Sequence, residues 1–264
     1  MSKTLGLALG SGGARGVAHV GFLLALEEEG IKPDYITGCS MGAVVGGCYA
    51  SGARAEELKK IVLNLKKRDI ISINPIPITQ MSILRSKKVR DLLVKHIRKK
   101  NIEDFPIPFK CVATDIYSGK LHVFESGEAS LAIQASSTIP SVFRPIKFED
   151  KLLVDGGCLC RVPAKLVKEM GADVVVAVDV LSNCSKPVDK VDNILSMILR
   201  LYDVMDAHTT ALIRERDKEF IDLWLEPEMA GMSQYVIKDL DRAFEEGYAL
   251  GKSNVDKIKD LLKD

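Results

Sequence analysis

Leu5-Gly6-Leu7-Ala8-Leu9-Gly10-Ser11-Gly12-Gly13-Ala14-Arg15-Gly16, followed by Tyr35-Ile36-Thr37-Gly38-Cys39-Ser40-Met41-Gly42, places two glycine-punctuated turns within the first 42 residues. Each turn follows an apolar stretch of strand character and leads into a run with helical periodicity, the first from about Val17 to Glu29. Strand, turn and helix form the context in which G-x-S-x-G, here Gly38 to Gly42, carries chemistry: the glycines let the chain turn sharply and expose a serine oxygen. Ser40 is therefore the candidate nucleophile. The Gly10 to Gly16 loop offers consecutive backbone N–H groups at a helix start, where unpaired donors and the helix dipole favour negative charge. Such a loop can hold an oxyanion.

The loop has a rival reading. Gly10, Gly12 and Gly16 fit a G-x-G-x-x-x-G variant of the NADP-type dinucleotide-binding turn, although Arg15 stands where the stricter form needs glycine. A ribose-binding acid should then end the second strand. That strand ends in Gly38-Cys39-Ser40 instead, and Asp34 precedes it. No G-K-[ST] closes the loop, which argues against a P-loop.

An activated serine needs a base, and the chain offers four histidines. His19 lies one turn inside the first helix and reads as a packing or loop-bracing residue. His96 falls in a basic helical segment and His122 in a strand-like stretch. His208 is late enough in the chain for a Ser-His-Asp triad but has no glycine-rich turn to present it, so a triad is disfavoured. Three aspartates end strand-like runs: Asp115, Asp155 and Asp179. In a parallel or mixed α/β sheet the carboxyl ends of strands are where ligands bind, so all three are candidates. Gly156 and Gly157 set Asp155 apart, because they permit a tight turn that leaves its carboxylate unobstructed. Asp115 and Asp179 also read as ordinary turn-forming residues.

Gly10-x-Gly12-Gly13-x-Arg15-Gly16, Gly38-x-Ser40-x-Gly42 and Asp155-Gly156-Gly157, in that order, resemble the three signatures of the patatin-like phospholipases. Val112-Ala113-Thr114-Asp115 and the stretch from Ala135 to Pro145 are similar as well. The likeness covers about residues 5 to 170. It implies lipid acyl hydrolase or esterase activity through an acyl-serine, a serine–aspartate dyad without a catalytic histidine, and a modified α/β-hydrolase-like fold. Metal and cofactor play no part in that chemistry. Ser40 would attack the ester carbonyl and Asp155 would accept its proton. The oxyanion would sit against N–H groups of the Gly12-Gly13 segment, with that of Met41 as a further donor. Arg15 would brace the glycine loop or contact a lipid phosphate.

With 264 residues, 47% hydrophobic and 28% charged, the chain is long enough for one large α/β domain. The expectation is a single domain over 1–264, its motif-bearing core at 5–170 and the remainder completing the same unit. Strand-like and helical segments alternate, which favours a three-layer sandwich with helices on both faces of a central mixed, mostly parallel sheet. Helices are expected at 40–52, 54–67, 87–100, 128–137, 162–170, 190–214 and 238–262. Further strands are expected near 108–114, 120–125, 151–155, 173–180 and 219–225. In 190–214, Val191, Ile194, Leu195, Ile198, Leu201 and Met205 recur at helical spacing, which reads most simply as a core-packing face, with a partner-binding stripe as the other reading.

Six cysteines, at 39, 48, 111, 158, 160 and 184, show no disulfide framework. With no secretory signal and no 18-residue apolar stretch, the expectation is reduced thiols in a cytoplasmic protein. Cys158-x-Cys160 lacks a second tight pair and is a weak metal candidate. Net charge is +1, yet between Arg54 and Lys100 fourteen Lys and Arg face four Asp and Glu. Nucleic acid is a poor fit, because that segment has no aromatic stacking residues. Its proline-broken, isoleucine-rich centre, about 70–84, suggests an apolar flap beside the site that docks on anionic lipid surfaces. A solvated surface is the plainer alternative.

Overall fold

The computed structural model describes residues 3–65, 82–84, 87–182 and 191–263. Short apolar runs with every side chain buried form strands only where both faces of a sheet are covered. Two such runs, β1 (Leu5–Leu9) and β9 (Val174–Val178), pair in parallel at the centre of an eight-stranded sheet. Their side chains divide by parity. Leu5, Leu7, Leu9, Val174, Val176 and Val178 pack against α1 (Ala18–Glu28), α2 (Met41–Ala50) and α8 (Leu240–Leu262). Ala8, Val175 and Ala177 pack on the opposite face against Ala164 and Val167 of α6 (Ala164–Glu169). The result is three layers.

From β1 the sheet runs outward through β9 to β10 (Leu223–Leu225) on one side and through β2 (Tyr35–Cys39) to β4 (Phe109–Asp115) on the other, all in parallel. Beyond β4 the direction reverses. β5 (Lys120–Phe124) pairs antiparallel with residues 111–115 of β4 along one edge. β2 pairs with residues 109–112 and β8 (Lys151–Asp155) with residues 113–115, so both lie along the other edge, end to end. β7 (Ile146–Phe148) continues antiparallel from β8. A separate parallel pair joins β3 (Ser82–Leu84) to β6 (Ser141–Phe143). The remaining helices are α3 (Ala55–Leu63), α4 (Lys87–His96), α5 (Ala129–Ser136) and α7 (Ile194–Arg216). Each expected segment contains the helix or strand assigned to it, most helices ending one to four residues short at one or both ends as terminal turns fray or tighten. α7 instead runs two residues past its expected end, to Arg216, and a 3-10 turn at Lys218–Phe220 takes the start of the strand expected at 219–225. Residues 66–67 of the expected 54–67 helix lie outside the described residues. Most of the expected flap lies outside the described residues, apart from β3.

α7 corrects one expectation. Its apolar stripe does not pack into the core: Ile194, Met197, Ile198, Leu201, Met205 and Leu212 are all exposed, and the residues it buries are Asp206 and Thr210. The inner face is polar because it rests on charged and polar partners. Asp206 meets Arg161, and Asp203 accepts from Gln234 Nε2 at 2.6 Å.

α1 and α8 cross at backbone contact. A Cβ on Gly247 would lie 1.9 Å from the Ala18 carbonyl oxygen, and one on Gly21 2.1 Å from that of Phe244. In an exposed helix interior Gly→Ala stabilises by about 1 kcal/mol. At Gly247 the overlap reverses the sign, and Gly247→Ala should cost about 1–3 kcal/mol in urea unfolding. A stabilised variant would contradict this packing.

Candidate active site

Two strand ends meet at this site. The last pairing of β2 sets Cys39 beside Val112, and the last pairing of β8 sets Asp155 beside Ala113, the next residue of β4. Because β8 runs antiparallel to β2, the two chains arrive head-on along one edge of β4 and both must leave the sheet there. Ser40 turns off with φ 53° and ψ −120°, a left-handed conformation rare for a residue with a side chain and worth roughly 1–3 kcal/mol of strain. It opens α2. Asp155 turns off through Gly156, where a Cβ would lie 2.3 Å from the Val112 carbonyl oxygen. The end of α5 and the turn after it clamp both departures: Ser40 N–H donates to Ser136 Oγ at 3.0 Å, and Asp155 N–H donates to the Thr138 carbonyl at 2.8 Å.

The side chains then face one another. Ser40 Oγ donates to Asp155 Oδ2 at 2.5 Å, and both residues are buried. Asp155 Oδ1 accepts from Gly157 N–H at 2.8 Å and from the Cys39 thiol at 3.7 Å. Burial pushes the Asp155 carboxyl up to about 6 against the pull of the Ser40 and Gly157 hydrogen bonds, with the Asp206 carboxylate adding to the rise. A carboxylate with that affinity can hold a proton briefly near neutrality and give it back, as a general base must. Burial drives the Cys39 thiol well above its ordinary range, so it remains a neutral donor.

None of the four histidines is a hydrogen-bond partner of this pair. His19 is fully buried and bonds the Gly10 carbonyl through Nε2 at 2.8 Å; burial lowers its pKa to about 4, so the ring is neutral and Nε2 donates. His122 packs among Phe124 and Phe148. His96 is partly buried on α4, and His208 is exposed on α7. Asp115 accepts from the N–H groups of Tyr117, Ser118 and Leu152 and closes a turn. Asp179 accepts from Arg161.

The glycine loop runs beside the elbow. Gly10 N–H donates to Val178, Ser11 N–H to the Arg161 carbonyl and Ala14 N–H to the Gln234 carbonyl. Among the described residues the N–H groups of Gly12 and Gly13 have no protein acceptor. They lie at the start of the 3-10 turn Gly13–Val17 that leads into α1. Contact between loop and elbow is close: a Cβ on Gly16 would strike Met41, and one on Gly42 would strike the Leu9 and Gly10 carbonyls. The Arg15 side chain is buried and donates through Nε to the Met232 carbonyl at 3.0 Å. That contact ties the loop to the segment before α8.

Three residues around the site carried no sequence motif. Arg161, beside α6, donates to Asp179 and Asp206, each at 2.7 Å, in a fully buried triad. Burial pushes Asp206 up to about 6, against the opposing pull of Arg161. Tyr202, one turn before Asp206 on α7, brings its hydroxyl to the face of Gly157. The spacing of Tyr202 and Asp206, i and i+4, is the one signal that they share a helix face. Cys158 and Cys160 are pushed up to about 12 by burial and hold neutral thiols. Among the described residues no group of three His, Cys, Asp or Glu is placed to hold a metal ion, Cys184 lying outside them.

The patatin-like phospholipase family model matches residues 7–168. An uncharacterized NTE family protein of Mycobacterium tuberculosis is 41% identical over 177 residues, 67% of this chain and 49% of that protein. Lysophospholipase NTE1 of Scheffersomyces stipitis is 36% identical over 68% of this chain and 12% of its own length. The chain thus spans about half the length of the mycobacterial relatives it matches, and far less of the fungal one. VipD from Legionella pneumophila shares the fold, with a TM-score of 0.59 over 97% of this chain and 67% of that one at 16% identity.

The raised carboxyl of Asp155 sets a pH profile. A fluorophosphonate should label Ser40 at a rate that is flat above about pH 7 and falls with an apparent pKa near 6, because the protonated carboxyl cannot accept the serine proton. A midpoint near 4 would contradict the dry environment of Asp155.

Proposed function

We propose that this chain, which belongs to the patatin-like phospholipase family, hydrolyses carboxylic esters of phospholipids or lysophospholipids through an acyl-serine on Ser40. The observation that carries the reading is the 2.5 Å hydrogen bond from Ser40 Oγ to Asp155 Oδ2 beside a loop whose Gly12 and Gly13 N–H groups have no acceptor among the described residues. Ser40 attacks the ester carbonyl while Asp155 takes its proton. The N–H groups of Gly12, Gly13 and Met41 receive the tetrahedral oxyanion, and in a water-poor site one such donor is worth roughly 3–4 kcal/mol. Water then releases the fatty acid. The fungal relative is named a lysophospholipase, which agrees with this substrate class. A dinucleotide reading gains nothing from the structure, because β2 delivers Ser40 where a ribose-binding acid would stand.

Peripheral contact with a lipid surface belongs to the same reading. No helix among the described residues is long and apolar enough to cross a membrane. The exposed stripe of α7 lies on the helix whose inner face, through Tyr202, reaches the dyad. A lipid must leave its bilayer to reach Ser40, and an apolar helix face immersed beside the site lowers the barrier to that transfer.

Ser40→Ala and Asp155→Asn should each lower release of fatty acid from lipid vesicles by at least ~10³-fold, and the double variant should be little worse, since the two act as one unit. His208→Gln should cost far less. Abolition of turnover by His208→Gln in a folded protein would replace the dyad with a triad. Fluorophosphonate labelling without turnover of any lipid in a panel would instead favour a lipid-binding scaffold.

The stripe has its own test. Ile198→Glu with Leu201→Glu should reduce turnover of vesicle substrate by roughly tenfold or more, since burying each side chain is worth about 1.5–3 kcal/mol. Turnover of a short-chain, water-soluble ester should hold. Equal losses on both substrates, or none on either, would remove the stripe from the function.

A further inference from the structure

In an acyl-serine route the leaving alcohol departs from the place into which the hydrolytic water later comes, because the second half-reaction retraces the geometry of the first. A group that hydrogen-bonds oxygen at that place serves both halves. Three oxygens converge on the face of Gly157 where a side chain would stand. A Cβ there would lie 2.8 Å from the Tyr202 hydroxyl, 3.1 Å from Asp155 Oδ1 and 3.5 Å from Ser11 Oγ. Asp155 Oδ1 belongs to the carboxylate whose other oxygen holds Ser40. Ser11 directly precedes the Gly12-Gly13 donors, it is buried, and among the described residues its hydroxyl has no protein partner.

Resting on the reading of Ser40 and Asp155 as the catalytic pair, we propose that the Tyr202 hydroxyl, with Ser11 Oγ beside it, hydrogen-bonds the leaving oxygen of the ester and then the attacking water. In acylation the bond from Ser40 Oγ to the acyl carbon forms and the bond to the alcohol oxygen breaks. The Ser40 proton passes through Asp155 to that oxygen, while Tyr202 donates a hydrogen bond and keeps its own proton. In deacylation the water oxygen bonds the acyl carbon, one water proton goes to Asp155, and Ser40 regains it as its ester bond breaks. Tyr202 suits this part chemically. Burial and the neighbouring Asp155 charge hold its phenol well above the ordinary range, so it stays a donor wherever Asp155 is a base. It is also held in place, since Asp206, one turn on, is locked to Arg161 at 2.7 Å. The Tyr202 hydroxyl also hydrogen-bonds the Cys158 thiol, which is the competing, purely structural role.

The test exploits leaving-group basicity. An alkoxide needs help to depart, and p-nitrophenolate needs almost none. Tyr202→Phe keeps the ring, and circular dichroism with a melting temperature checks the fold. For an alkyl ester and a p-nitrophenyl ester of the same fatty acid, kcat/KM reports acylation. Loss of one donor to a developing charge predicts a fall of roughly 10²-fold for the alkyl ester, with the nitrophenyl ester nearly unchanged. For the nitrophenyl ester kcat should fall, and acylated Ser40 should accumulate in acid-quenched samples read by mass spectrometry, because deacylation has lost its water contact. Ser11→Ala should shift both readouts in the same direction and by less. Equal losses on the two esters would assign Tyr202 a packing role against Cys158 and overturn the proposal, as would no loss on either. If Ser40 in the wild type also resists fluorophosphonate, the catalytic pair itself has failed; if it labels normally, only the role of Tyr202 has.

Discussion

The structure depends on a collision within the sheet. Along one edge of β4 the hydrogen-bonding groups are taken by β2 as far as Val112 and by β8 from Ala113 onward. Two strands that approach head-on in one row cannot both continue, so each leaves the sheet at the junction. The residues at which they leave are Ser40 and Asp155. Their proximity is therefore a property of backbone register first and of side chains second. Strain at Ser40 is the cost of the sharp exit, and it is held by hydrogen bonds from α5 and the turn beyond it that would be lost if either strand end moved.

Dryness does the rest. A carboxylate taken out of water holds its proton more tightly, and Asp155, against the covered faces of β2 and β4, rises to about 6. The same low polarity strengthens any donor aimed at a developing charge, the part proposed for the Gly12 and Gly13 N–H groups, which have no protein acceptor among the described residues. The loop is fixed from several sides, by His19 on the Gly10 carbonyl, by the Arg161 carbonyl on Ser11 and by Arg15 on Met232. Arg161 thus works twice: its backbone positions the loop, and its guanidinium holds α7 over the site through Asp206. A buried triad of this kind contributes little net stability, but removal of one member would leave an unpaired charge. Its value here is orientation.

Much of this was legible in the chain. The glycine-punctuated strand ends located the elbow, the loop and Asp155, and the alternation of strands and helices indicated the three layers. The rule that ligands gather at the carboxyl ends of parallel strands describes Ser40. It does not describe Asp155, whose strand is antiparallel and reaches the site from the opposite direction. No sequence pattern encodes that reversal. α7 departs from the core-packing expectation, though not from the alternative of an exposed stripe, for a different reason: a 3.6-residue apolar period says that one face differs from the other, and not which face meets the protein. The ion triad settled it, because Asp206 had to meet Arg161. Tyr202 was invisible because one tyrosine in a helix has no motif. β3, β6 and β7, three residues each, are too short for periodicity to reveal.

The central claim is that the meeting of β2 and β8 makes Ser40 a nucleophile with Asp155 as its base. Acid-quenched turnover of a long-chain ester, followed by peptide mass spectrometry, measures this directly. The account predicts a fatty acyl group on the peptide containing Ser40 in the wild type and its absence in Asp155→Asn. Acylation at another residue, or an acyl-Ser40 that forms as fast without the Asp155 carboxylate, would contradict it.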